Sequence, residues 1–347
     1  MPQVLIASRI STLTVGGLAS YQRGLARELE AHGTQVSLFC SADVGAAKFW
    51  MRLASRPAAF GLLERLISLR YRSTLAELRQ KKFDAVHFVG TGWDYSGFAM
   101  RDLARELGAR FTIWPAVHPG AWGDDAIDLR LYQEADAVLC QSDEEARHLV
   151  QLGLSPSRVV RCGLPAMCLP NGKADRFGTN GHPVVLFLGR RDEGKGYPAL
   201  LKAWPQVRAV HPSAVLMLAG PGDHGVHDES IRDLGIPDEE TKADALAACT
   251  VFCLPSAHES FGIVFVEAWS YGKPVICGPA PASRELVRPG ETGLWADQSP
   301  ESIAQCIIEA LGHPDASRRM GEAGREFQKN HLTWDKIVGI HQAAFGL

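Results

Sequence analysis

Between His258 and Gly278 the chain reads HESFGIVFVEAWSYGKPVICG, and few local folds accommodate this stretch. The apolar run before it, Val251 to Pro255, predicts a buried strand stopped by proline. Ser256 to Ser260 is a polar loop. Gly262 opens a helix with its body from Ile263 to Ser270, and Tyr271-Gly272-Lys273-Pro274 ends it, because glycine suits a helix C-terminus and proline cannot continue the turn. Val275-Ile276-Cys277 begins the next strand. Two carboxylates, Glu259 and Glu267, stand in this unit with seven residues between them.

The layout has a chemical meaning. Glu259 lies in the loop before the helix, and Glu267 lies inside the helix. Between them are the unpaired N–H groups of the first helical turn, which favour anions. An ionised carboxylate accepts both hydrogen bonds of a ribose diol or of two neighbouring sugar hydroxyls. The combination suits a molecule that is part sugar and part phosphate.

Upstream, Phe187-Leu188-Gly189-Arg190 runs into Lys195-Gly196; downstream stand Gly272-Lys273-Pro274-Val275 and Glu291-Thr292-Gly293-Leu294. With Glu259 and Glu267, these segments resemble the nucleotide-sugar site of the retaining family-4 glycosyltransferases of GT-B fold. The resemblance is strong over residues 183–310 and looser, though in order, over the N-terminal half. The glutamate spacing alone is weak evidence; with the Gly-Arg and Lys-Gly pairs about 70 residues earlier it is specific. The implied fold is α/β, with two Rossmann-like domains of parallel sheet facing across a cleft.

Length and composition agree with that outline. A chain of 347 residues exceeds the size at which one core usually keeps growing, so two domains are expected. The expected division is an N-terminal domain over 1–165 joined by the C-terminal helix 333–347, a linker over 166–182 rich in proline and glycine, and a second domain over 183–332. Net charge of −3 argues against a nucleic-acid partner. No apolar run approaches the ~20 residues of a membrane span, and the start lacks a signal-peptide pattern, so a cytoplasmic protein is expected. Eight cysteines include no Cys-x-x-Cys pair, which favours buried thiols over metal ligation or disulfides.

The N-terminal half opens as strand Val4–Ala7, a Gly16-Gly17 turn, helix Ala19–Ala31 and strand Gln35–Cys40, the start of a parallel α/β domain. Gly16 and Gly17 let a ligand approach the backbone, or simply make a tight turn. Residues 46–82 carry nine Lys and Arg against two Glu. There Ile67, Tyr71, Leu75 and Leu78 share a helical face flanked by Arg65, Arg72 and Arg79. Such a face is a solvated surface, or it receives an anionic acceptor or lies on anionic lipid at the inner face of a membrane. Strand Phe83–Val89 ends at Trp93-Asp94-Tyr95, which either contact an acceptor or pack against the loop. His118 follows strand Phe111–Trp114. Asp124, Asp125 and Asp128 read as an acidic first helical turn rather than a metal site. His224 and His227 in a glycine-rich loop invite a metal reading, which the loop's character disfavours.

In the second domain Gly189 and Arg190 end a strand and Lys195 heads the following helix, two cations placed for a diphosphate. The resemblance implies the remaining roles. Arg190, Lys195, Glu259 and His118 would be catalytic. Gly16, Gly17, Gly189, Ser260, Phe261, Gly262, Ile263, Val264 and Glu267 would bind the donor, with Glu267 on the ribose. Trp93, Asp94 and Tyr95 would face the acceptor. A strand near Ile231–Ile236 would carry base contacts through its backbone. The donor is a nucleoside diphosphate sugar of uridine or guanosine, the acceptor a saccharide, lipid-linked or small molecule, and no cofactor or metal is expected. Two other functions fit the same residues: a sugar-nucleotide 2-epimerase and a non-catalytic sugar-nucleotide-binding protein.

Overall fold

A computed structural model describes residues 1–9, 17–41, 60–167, 170–179, 181–222 and 228–347. Gly16, Cys168, His224, His227 and residues 46–59 of the basic segment lie outside the described residues. The chain forms two compact units, one of Met1–Gly163 with Trp334–Leu347 and the other of Leu164–Thr333.

The first unit is built around six parallel strands. In chain order they alternate with helices: β1 Gln3–Ser8, α1 Gly17–Ala31, β2 Gln35–Cys40, α2 Phe60–Tyr71, β3 Ala85–Val89, α3 Ser96–Leu107, β4 Arg110–Trp114, α4 Ala126–Tyr132, β5 Ala137–Cys140, α5 Asp143–Gln151 and β6 Val159–Arg161. The sheet order is β2-β1-β3-β4-β5-β6. Its strands β3 and β5 are buried along their whole length, which is why they read as unbroken apolar runs rather than alternating ones.

The second unit repeats the principle. It runs β7 Val184–Leu188, α6 Tyr197–Val210, β8 Val215–Ala219, β9 Ile231–Asp233, α7 Glu239–Ala248, β10 Val251–Leu254, α8 Ile263–Ser270, β11 Val275–Cys277, α9 Pro281–Leu286, β12 Gly293–Trp295, α10 Pro300–Gly312 and α11 Pro314–His331. The order is β12-β11-β10-β7-β8-β9, again all parallel. Both sheets therefore reverse direction of growth once, between β1 and β3 in the first and between β7 and β10 in the second. In open parallel sheets, ligands bind beyond the carboxyl ends of the strands at that reversal.

Two expectations change. Residues 170–179, expected as a linker, are held to the second unit: the Lys173 amide donates to Asp244 at 2.6 Å, Arg176 reaches the same carboxylate at 2.7 Å, and Arg232 donates to the Phe177 carbonyl. The turn-forming residues there shape a strap, and the buried Asp244 anchors it. The helix expected along 67–78 ends at Tyr71, and turns follow. Ser73 and Thr74 are weak helix formers whose hydroxyls compete for backbone partners. The Leu75 amide still bonds the Tyr71 carbonyl at 2.9 Å, so Ile67, Tyr71 and Leu75 keep one buried face.

A final helix, α12 Trp334–Phe345, packs on α1 in the first unit. There the buried His341 accepts a hydrogen bond from the Tyr21 hydroxyl and donates through Nδ1 to the Ile337 carbonyl at 2.7 Å. Tyr21 stacks on Trp114 with ring centroids 4.0 Å apart. Among the described residues no helix is long and apolar enough to cross a membrane.

Burial lowers the His341 pKa to about 4, against an upward pull from the Ile337 carbonyl. The unfolded chain therefore binds a proton between about pH 6.5 and pH 4 that the native chain refuses. The stability from the neutral ring is fully present above the unfolded value and is lost as pH falls through that window. Urea unfolding of wild type and His341→Gln checks this: the stability difference should move against wild type by about 2 kcal/mol between pH 6.5 and 5. A difference that stays constant with pH would show that the ring is protonated freely in the fold.

Candidate active site

The reversal in the second sheet brings two loops together, one after β7 and one after β10. The loop after β7 first prolongs the sheet: the Gly189 amide bonds Ala219, and the Arg191 amide bonds Pro221 at 2.8 Å. In extended chain, neighbouring side chains point to opposite sides. Arg190 and Arg191 accordingly have different fates. Arg190 leaves 70% of its side chain exposed, 3.4 Å from Asp192. Arg191 is wholly buried, paired in a fork with Asp233 on β9 and with one N–H···O distance of 2.6 Å. Arg191 is thus the structural arginine, holding β9 to the loop, and Arg190 is the one presented to solvent.

Asp192 then caps a single tight turn, its Oδ1 accepting from the Lys195 amide at 2.9 Å. Gly196 closes the turn at φ 71°, where a Cβ would sit 2.3 Å from the Pro255 carbonyl oxygen. Only glycine allows both that dihedral and that approach. The closeness lets the Ala257 amide donate to Gly194 at 2.9 Å and the Ser256 hydroxyl donate to the same carbonyl at 3.1 Å. Lys195 now points across the gap. Its Nζ lies 2.6 Å from Glu259 Oε1 and 3.1 Å from the His258 carbonyl. Both side chains of this ion pair are largely screened from water, at 15% and 11% exposure.

Gly262 precedes α8 at φ 87°, and no side chain caps this helix. The first turn, with Ile263 and Val264, therefore has no side-chain cap and follows Ser260 and the buried Phe261. Lys195 reaches the segment that leads into this helix, at Glu259 and the His258 carbonyl, and a helix N-terminus near a cation favours anions. One and a half turns on, Glu267 is buried and its Oε1 lies 3.0 Å from Lys242 Nζ on α7. Lys242 also contacts Glu239 at 2.8 Å.

In the first unit the structure sorts the expected residues differently. Asp94 caps its own turn through the Thr91 amide and pairs with Arg9 at 2.8 Å, while burial raises its pKa. Trp93 donates its indole N–H to Asp125 at 2.6 Å. Tyr95 corrects the expectation of an acceptor-stacking ring. It is 6% exposed and belongs to the hydrophobic core, and burial together with the Asp128 charge pushes its phenol up to about 12. Its backbone sits at φ 34°, a value uncommon for a residue with a side chain. Asp125 and Asp128 form a reciprocal helix cap, as expected for an acidic first turn.

His118 stands in a small hairpin with Trp122, both of whose backbone bonds are 2.9 Å. Two features hold the approach to it. Ala116 adopts φ 54°, a strained value for a residue with a side chain. The Val117 amide donates to the buried Glu145 at 2.7 Å, and Glu145 also takes the Gln141 amide at 2.7 Å. Burial raises the Glu145 pKa to about 7, against the pull of those two amides. Gly17 is the first residue of α1, and a Cβ there would meet nothing within 4 Å.

Sequence reasoning missed Lys242, Arg191 and Glu145. Each acts on a partner 25 to 42 residues away in the chain, and no periodicity or spacing signals such a pair.

Comparison with known proteins follows the same two units. Residues 171–327 match the model of "Glycosyl transferases group 1" and residues 15–165 that of "Glycosyltransferase Family 4". A GDP-mannose-dependent alpha-(1-6)-phosphatidylinositol monomannoside mannosyltransferase of Mycolicibacterium smegmatis is 26% identical over 329 residues, 84% of this chain and 83% of the relative. A phosphatidyl-myo-inositol mannosyltransferase of Mycobacterium tuberculosis is 38% identical over 210 residues, about half of each chain (53% and 56%). Among solved structures, sucrose-phosphate synthase from Thermosynechococcus elongatus superposes with a TM-score of 0.76 at 21% identity, covering 99% of this chain and 98% of that one. Anabaena HepE in complex with UDP and glucose gives 0.75 at 17% identity, with full coverage of both.

The tightness at Gly196 is open to test. Gly196→Ala should destabilise the second unit by about 3 kcal/mol or more, combining strain with a clash, whereas Gly290→Ala, also at positive φ but with open space around it, should cost about 1 kcal/mol. Urea denaturation of the two variants decides; equal losses would mean that the two loops are free to separate. The two parallel sheets, the loops meeting at the reversal and the matches along both units together place this chain in family 4 of the glycosyltransferases, on the GT-B fold.

Proposed function

We propose that this enzyme transfers a hexose from a nucleoside diphosphate sugar to an acceptor hydroxyl with retention at the anomeric carbon. The observation that carries the reading is the grouping of exposed Arg190, the Lys195–Glu259 pair and the uncapped start of α8 at the reversal of one parallel sheet. Arg190, Lys195 and the amides of Ile263 and Val264 bind the diphosphate and stabilise the charge that develops on it as the glycosidic bond breaks. Glu259 takes a hydroxyl of the transferred sugar and Glu267 the ribose diol. His118 keeps the role implied by the resemblance, a contact to the sugar. The acceptor oxygen bonds to the anomeric carbon on the face the phosphate leaves, and the acceptor proton passes to the departing phosphate oxygen. No protein nucleophile is needed for that course. The residues toward the diphosphate are basic side chains and amides, consistent with a reaction that uses no metal or cofactor.

The relatives named for GDP-mannose favour guanosine diphosphate mannose as donor, and their phosphatidylinositol acceptors favour a lipid-linked one. The described part of the basic segment supports the second point. Leu62 and Leu69 are 61% and 63% exposed, with exposed Arg65 on α2 and exposed Arg72 in the turn just after it. Glu64 on the other side is tied to Arg101 and Arg130, so the helix is fixed with its leucines outward. Exposed leucines flanked by arginines fit an anionic lipid surface at the inner face of a membrane.

Turnover with GDP-mannose and UDP-glucose, with the product's anomeric configuration read by NMR, tests the reaction. Retention is expected, and an inverted product overturns the mechanism. Product formed from donor alone would instead indicate an epimerase, and tight donor binding without turnover a binding protein. Arg190→Ala and Lys195→Ala should each lower kcat ~10²-fold or more, as for loss of one preorganised donor. Wild-type turnover in both variants would remove the diphosphate from this site. For the lipid surface, co-sedimentation with phosphatidylserine vesicles should fall roughly tenfold or more in a Leu62→Ser, Leu69→Ser double variant. Recovery of wild type in the supernatant regardless of lipid charge would eliminate the membrane contact.

A further inference from the structure

Trp122, in the hairpin after β4, leaves 44% of its surface exposed, and residues 119–121 at the hairpin tip are exposed with it. Trp93, Trp204, Trp269 and Trp295 each donate the indole N–H to a protein oxygen. Among the described residues the Trp122 indole has no such acceptor, and the residue is held through its backbone, by the two 2.9 Å bonds to His118. A scattered apolar side chain on a surface needs no ligand. What sets Trp122 apart is the stiffness of its mounting. The Val117 amide at the hairpin root is fixed on the buried Glu145 at 2.7 Å. At the tip the Gly120 amide donates to Asp124 at 2.6 Å, and His148 lies 2.9 Å from the same carboxylate oxygen. The Tyr132 hydroxyl donates to the Gly123 carbonyl at 3.0 Å. Gly123 is buried, and a Cβ there would lie 3.4 Å from the Thr91 methyl group, so the hairpin rests against the loop that leaves β3. An aromatic face on a loop already tied down loses little freedom when a ligand covers it.

The place and the chemistry narrow the ligand. The hairpin stands beyond the carboxyl ends of β3 and β4, beside the reversal of the first sheet, where open parallel sheets bind ligands. The diphosphate and the ribose are read above in loops of the second unit, which leaves these strand ends for the acceptor. Of the three residues expected to face it, Tyr95 lies in the core, Trp93 packs against that core, and Asp94 is spent on the Thr91 amide and Arg9. The face of an indole is electron-rich and attracts weakly positive C–H groups. A six-membered polyol ring carries such C–H groups on its face and its hydroxyls around its rim. We propose that Trp122 is the platform on which a six-membered polyol ring of the acceptor stacks, either a pyranose or a cyclitol. The inference rests on the reading above that an acceptor receives the transferred sugar.

Three proteins are compared in the presence of GDP: wild type, Trp122→Phe and Trp122→Ala. The probes are methyl α-D-mannopyranoside, followed by saturation-transfer NMR, and phosphatidylinositol in mixed micelles, followed by calorimetry. Phosphatidylglycerol micelles, equal in charge and without a ring, are the control. Trp122→Ala is expected to weaken one of the two ring-bearing probes about tenfold, and the probe affected tells a free saccharide from a lipid headgroup. Trp122→Phe, which keeps an aromatic face, should stay within about threefold of wild type, and GDP and phosphatidylglycerol within about twofold in both variants. Ring-bearing probes that bind Trp122→Ala as they bind wild type, or that fail to bind wild type, overturn the platform. An equal loss for phosphatidylglycerol overturns it as well, because the indole then enters lipid and not a ring. Wild type that binds no GDP defeats the nucleotide reading instead, and the ring comparison without GDP still decides the part played by Trp122.

Discussion

The second unit depends on how its parallel sheet grows. From β7 the chain adds β8 and β9 on one side, then returns to place β10 on the other. Right-handed crossovers put the connecting helices of the two halves on opposite faces, so the segments leaving β7 and β10 diverge. Backbone polar groups at such a divergence need new partners. Gly196 lets the loops close on each other, Ala257 and Ser256 take the Gly194 carbonyl, and Lys195 meets Glu259. The crevice is thus a by-product of topology, and its lining is set by whatever satisfies the loose ends. That a cation, an anion and an uncapped helix start are the groups left there gives the place its chemistry.

Charge in this unit is arranged in pairs whose depth differs with their task. Arg191 is buried and forks onto the partly exposed Asp233, which ties β9 to the loop. Lys242 and Glu267 form a second pair, 3.0 Å apart, with the carboxylate the more deeply buried of the two. Lys195 and Glu259 are also largely screened from water, whereas Arg190 is in it. On the reading proposed above, a diphosphate would compete for Lys195 with Glu259 and meet the exposed Arg190 with little to displace. In a partly dry site such exchange of one anion for another changes the field at the bond being broken far more than it would in solvent.

Much of this was legible in the sequence because it is local. The loop and helix around Glu259 and Glu267 follow from proline, glycine and an apolar run, and α8 spans the residues expected of it. The strand after Asp228 was expected near Ile231–Ile236 and is regular over Ile231–Asp233, with backbone bonds to the neighbouring strand carried on by the Leu234 amide to Leu218 at 2.8 Å and the Gly220 amide to Gly235 at 2.7 Å. What stayed hidden was which of two adjacent arginines faces out. Local pattern cannot decide that; the amide of Arg191 joining Pro221 in the sheet's extension does. Tyr95 went astray for the same kind of reason. An aromatic at a strand end reads as a platform, whereas the Tyr95 ring lies in the core.

The first unit solves its loose ends by a different route, with buried carboxylates in place of a lysine bridge. Asp94 takes the Thr91 amide, Asp128 the amides of Trp93 and Asp125, and Glu145 those of Val117 and Gln141. Every one of these lies beyond the carboxyl ends of β3, β4 or β5, and the two positive-φ residues, Tyr95 and Ala116, directly adjoin Asp94 and Val117. Burial raises the pKa of all three carboxyl groups, to about 6 at Asp128 and about 7 at Glu145. Each therefore stabilises the fold less as pH rises through its native value, the opposite sign to His341. A loop clamped by backbone-to-carboxylate bonds has its shape set by those bonds, so the backbone leading to His118 is fixed by Glu145 through the Val117 amide.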